Sequence, residues 1–113
     1  MSDLSAAETS LLRATRLLRA ASQIEIDLDV ATNLPQVLIQ DTIRMLVWQA
    51  AALLPDGLPI TGAPTAGVGL LVLLEQAERE LRSFPIGQYP AGTSHLIVDL
   101  CDAIARTRTG VWI

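Results

Sequence analysis

Apolar positions along this chain recur at alternating steps of three and four, the period of helices packed on one side. The first run is Leu4, Ala7, Leu11, Ala14, Leu18, Ala21 and Leu28, with one miss at Glu25. Ser5 and Glu8 stand at its start with the S-x-x-E spacing of a capping box. The pattern predicts a helix from there to about Ala31. A second helix is expected near Asn33 and Pro35, a cap followed by proline in the first turn. It runs to Leu54, where Pro55-Asp56-Gly57 stops it. A third spans about Thr65 to Phe84, with Leu70, Leu74, Ala77, Leu81 and Phe84 as its inner face. A fourth begins near Thr93 or Ser94 and ends before Gly110. Its apolar face is Ile97, Leu100, Cys101 and Ile104, opposite His95, Asp99, Asp102 and Arg106.

Gln23 to Val30 has a second period. Ile24, Ile26, Leu28 and Val30 alternate with Glu25, Asp27 and Asp29, as in a half-buried strand. A strand needs a partner, and no second clean alternating run exists. The expected fold is therefore one all-α domain, a four-helix antiparallel bundle with short-to-moderate loops. The alternative adds a short strand at 24–30.

Composition narrows the chemistry. The chain has 113 residues, half of them hydrophobic and 4% aromatic, enough for one core without staples. It has no lysine, one histidine (His95) and one cysteine (Cys101). A lone cysteine forms no internal disulfide, which fits a reducing, cytoplasmic setting. The N-terminal sequence lacks the pattern of a signal peptide. The longest apolar run, Ala66 to Leu74, is too short to span a bilayer, so no membrane association is expected. A net charge of −4 gives little attraction for nucleic acid.

The candidate motifs favour binding over catalysis. Gly62 to Gly69 has the look of a phosphate loop, but Val68 and Gly69 stand where Lys and Ser/Thr are needed. Its plain reading is a turn before a helix. His95, Asp99 and Asp102 share a helical face, read as solvated rather than metal-binding. Cys101 falls on an apolar face, as a small hydrophobe. Arg13, Arg16 and Arg19 form a basic ladder, read as solvated or paired with a neighbouring acidic surface. No enzymatic activity and no cofactor is expected.

Two surfaces point to a partner. Val37, Asp41, Arg44, Trp48 and Ala52 form a stripe away from Ile39, Ile43, Leu46, Ala50 and Leu53. Trp and Arg are enriched at binding hot spots, though Trp48 also fits a core margin. The third helix begins AGVGLLVLL, apolar all round, and asks for cover from a loop, from the tail Val111-Trp112-Ile113 or from a second subunit. Arg44, Trp48, Val68, Leu71, Val72 and Trp112 are the candidate interface residues. The expected function is a non-catalytic helical interaction or accessory protein that self-associates or docks on a protein partner. The alternative is a small-molecule-binding or regulatory bundle with an apolar pocket between helices.

Overall fold

The computed structural model describes residues 4–23, 34–55 and 69–109, with the backbone alone at 34–37, 39 and 109. They form four helices: α1 (Ala6–Ser22), α2 (Leu34–Ala52), α3 (Leu70–Leu81) and α4 (Thr93–Thr109). A single 3₁₀ turn, Ile86–Gln88, lies between α3 and α4. There is no strand among the described residues. The protein is an all-α bundle, and no described helix is long and apolar enough to cross a membrane.

The capping box forms as its spacing predicts. The Glu8 amide donates to Ser5 Oγ and the Ser5 amide donates to Glu8 Oε1, both at 3.1 Å. From there Ala7, Leu11, Ala14, Leu18 and Ala21 are buried, and Leu4 packs against their edge. The helix ends at Ser22, not near Ala31. Ser22 Oγ donates to the Arg19 carbonyl at 2.6 Å, and the Gln23 amide closes on Ala20 and Ala21. Such a side-chain bond to the backbone competes with helix continuation. The helix-or-strand question at 24–30 lies outside the described residues.

α2 matches its expected bounds, with Leu53 and Leu54 closing it through bonds to Ala50 and Ala51. α3 starts five residues later than the expected Thr65. Gly69 is extended (φ −76°, ψ 156°) and caps it without a side chain. Leu74, Ala77 and Leu81 are buried as expected, and Leu73 joins them. The inner face of α4 is rotated from the expected one. Leu96, Leu100, Ala103 and Ile104 are buried, while Ile97 and Cys101 are half-buried on the flank toward α3. Leu96 follows His95 directly, so its neighbour's polarity masked it in the periodic reading.

Side-chain contacts fix the helix directions. Gln40 Nε2 reaches the Ser22 carbonyl at 3.5 Å, so α2 starts where α1 ends. Arg108 pairs with Glu75 at 3.1 Å and Cys101 meets Glu78 at 3.7 Å, so α3 and α4 are antiparallel. Gln49 lies against the first turn of α4, with its amide oriented to donate to Asp99 at 3.2 Å and accept from the Leu96 amide at 3.3 Å. At the end of α2, a Cβ on Gly92 would stand 3.1 Å from Leu53 Cδ2; Gly92 also takes φ +99°, a conformation that favours glycine. α2 and α4 are thus antiparallel as well. Each helix packs chiefly on two others: α1 on α2 and α3, and α4 on α2 and α3. Neighbours are antiparallel, and α2 and α3 sit on the diagonal, pointing the same way.

Candidate functional site

α2 turns Ile43, Leu46, Val47 and Ala50 into the core. The opposite side is set by the same helical period. Leu38, Asp41, Met45, Trp48 and Ala52 follow steps of three, four, three and four, and all are exposed. Trp48 is 80% exposed and Met45 73%. The two alternatives for Trp48, surface or core margin, are resolved in favour of the surface. With Arg44 these two side chains line an open depression of about 410 Å³.

Arg44 Nη1 lies 3.5 Å from Asp41 Oδ1, one turn earlier, with both side chains about 60% exposed. An exposed pair of this kind contributes only about 0.2–1 kcal/mol, so both groups remain available to another partner. On the side toward α1, Trp48 and Val47 face Arg19 across the helix–helix groove. One depression there, of about 450 Å³, is lined by Arg19, Ser22, Gln23, Gln40, Arg44, Val47 and Trp48. A second, of about 430 Å³, continues along Arg19, Val47, Trp48, Ala51 and Ala52.

The other candidate interface residues lie elsewhere. Leu71 is half-buried and packs against the core, and Val72 is 48% exposed on α3. Leu73 and Leu74 are covered within the chain, so the apolar start of α3 is satisfied in part from inside. Because α2 and α3 are diagonal, Val72 and Trp48 do not share one surface. Val68 and Trp112 lie outside the described residues. Met45 and Leu38 were not singled out by the sequence reading, and Arg19 was noted as part of the basic ladder but not as a neighbour of Trp48. The signal for Met45 was present, three residues before Trp48 and four after Asp41, on the same stripe.

Among the described residues, the polar side chains with catalytic potential lie on the outer face of α4 and in a seam between α3 and α4. Among the described residues no three of His, Cys, Asp and Glu gather as a metal ion would need. His95 and Asp99 are exposed on α4, and Asp102 pairs with Arg106 at 3.1 Å. Cys101 Sγ donates toward Glu78 Oε1 at 3.7 Å and accepts from Arg82 Nη2 at 3.5 Å, while Arg82 Nε pairs with Glu78 at 2.9 Å. The bond to Cys101, then the charge of Glu78, holds the Arg82 guanidinium above its usual pKa. These groups close a small polar seam between α3 and α4. The Gly62–Gly69 loop lies outside the described residues except for Gly69, which caps α3.

The chain matches no family model, no curated protein and no solved structure.

Proposed function

We propose that the protein is an interaction module that works through the outer face of α2, and that this face pairs with a second copy of the chain. One observation carries the reading: Trp48 and Met45 stand 80% and 73% exposed, side by side on a regular helix. An exposed aromatic beside an exposed thioether and an arginine is the composition of a binding hot spot.

Three features favour a second copy as the occupant. The exposed stripe has the three-four spacing of a seam between two helices. A two-fold axis at Met45 sets Leu38 of one copy opposite Ala52 of the other, large against small, and Trp48 beside Asp41. The stripe also carries one charge of each sign, Asp41 and Arg44, so an isologous contact brings no net repulsion. A tryptophan of this exposure offers roughly 200 Å². Met45 adds a comparable area. Two copies thereby supply over half of the roughly 1,200 Å² of a small specific interface, and the flanking residues supply the rest.

The test is light scattering with tryptophan fluorescence in a Trp112→Phe background. Trp48→Ala is expected to change the stability of the isolated chain by less than about 1 kcal/mol, since an exposed side chain leaves no cavity. It should weaken the dimer by about 2 kcal/mol or more. Val72→Glu, on the opposite side of the bundle, should leave the dimer intact. A parent protein that stays monomeric across a wide concentration range, with Trp48 emission red-shifted throughout, sinks the self-pairing.

A further inference from the structure

Among the described residues two side chains carry sulfur, Met45 and Cys101. They stand in opposite settings. Cys101 is half-buried, and its Sγ lies 3.7 Å from Glu78 Oε1 and 3.5 Å from Arg82 Nη2. Met45 is exposed in the middle of the outer face of α2, where it lines a depression with Arg44 and Trp48. A thioether has no proton to lose, so access decides its reactivity toward an oxidant. The core side of α2 is held by Ile43, Leu46, Val47 and Ala50, without Met45. A change at the Met45 sulfur therefore leaves the bundle packed and acts on whatever touches the outer face.

We infer that Met45 is a modification site, oxidised by hydroperoxides to the sulfoxide, and that this step separates self-paired chains. The inference rests on the pairing of α2 with a second copy proposed above. The sulfur attacks the hydroxyl oxygen of the hydroperoxide. An S–O bond forms as the O–O bond breaks, and the sulfur gives up two electrons. The proton of the transferred hydroxyl passes to the departing oxygen, which leaves as water or an alcohol. The apolar thioether becomes a polar sulfoxide. The two-fold axis at Met45 brings both copies of the residue together, so the paired form would bury two sulfoxide oxygens at its centre. Burying an acceptor without a donor is unfavourable. Pairing and oxidation also oppose each other: the pair covers the sulfur and the free chain exposes it, so oxidation draws on the free chain. Enzymatic reduction of the sulfoxide restores the thioether, which makes the step reversible.

The probe is hydrogen peroxide, applied to Cys101→Ser protein so that thiol chemistry does not contribute. Peptide mass spectrometry follows the added oxygen on Met45, and light scattering follows the dimer. Complete conversion of Met45 should weaken the dimer about tenfold or more, with helical circular dichroism unchanged. Treatment with a methionine sulfoxide reductase should restore it. Met45→Leu keeps the apolar volume, so that variant should pair as the parent does and ignore peroxide. Oxidation of Met45 should also slow as protein concentration rises through the dimer transition. A dimer that holds its affinity with Met45 fully converted overturns this inference and leaves the self-pairing standing. So does an oxidation rate that ignores concentration across that transition, or a Met45→Leu dimer that peroxide dissociates equally. A parent protein with no dimer before peroxide is added overturns the self-pairing and this inference together.

Discussion

Tyr89 stands in the turn before α4, 6% exposed, and its hydroxyl donates to the Glu80 carbonyl at 3.0 Å. Burial raises its pKa, and the Glu80 carboxylate adds to the rise. The neutral phenol is thus favoured in the folded chain. An unfolded tyrosine releases its proton near pH 10. Above that pH the unfolded state gains by ionising while the native state does not, so stability falls as pH rises. Below it this contribution is fully present. Tyr89→Phe should cost about 1 kcal/mol at neutral pH through the lost hydrogen bond. The stability gap between parent and variant should then narrow above about pH 10, read from urea midpoints. A gap that stays constant to high pH would mean that Tyr89 titrates as it does in the unfolded chain. Trp48 gives the opposite lesson at the same scale. The period places it off the core face, but only the neighbouring helices decide whether anything covers it.

For whole elements, local chemistry and tertiary packing contribute in separable ways. Ser5 and Glu8 satisfy each other's backbone donors, so Ser5→Ala should destabilise the chain by about 1 kcal/mol, and Glu8→Ala should add little to that loss. Full additivity in thermal unfolding of the double variant would show that the two bonds are independent. The start of α1, the proline-marked bounds of α2 and the core faces of α1 and α3 were legible in the sequence, because their apolar residues sit at unbroken helical spacing. The end of α1 was less so. Ser22 and Gln23 carry no Gly or Pro, and the terminating bond from Ser22 to Arg19 is a choice the periodic pattern does not reveal. Leu96 was hidden for a related reason. Ile97, Leu100, Cys101 and Ile104 already make a consistent stripe, and the α2 and α3 contacts rotate the buried centre by one residue. Of the candidate surface, Arg44 and Trp48 were legible. Arg19 was visible as part of a ladder, but its place in a groove with Trp48 follows from the pairing of α1 with α2.

At the scale of the molecule, the α1–α2 and α3–α4 pairs are neighbours in sequence, and α1–α3 and α2–α4 are not. The contacts of Leu53 with Gly92 and of Glu75 with Arg108 place the end of α2 and the start of α3 at opposite ends of the bundle. The helices are about 30 Å apart there along the axis, from a rise of 1.5 Å per residue. Residues 53–69 join them. Fully extended, that length reaches roughly 55 Å, so the join has slack but not an excess of it. Removing ten residues from 57–66 would leave about 25 Å, too little to reach the diagonal position within one chain. The α3–α4 half would then complete the α1–α2 half of another molecule, and the product would be a domain-swapped dimer. Size-exclusion chromatography should show that dimer even in a Trp48→Ala background, with helical circular dichroism preserved. A folded monomer from the shortened chain would refute the helix order α1, α2, α4, α3 around the bundle. With linker length as the control, the same diagonal join would let whole hairpins exchange between molecules, a route distinct from the proposed contact between finished surfaces.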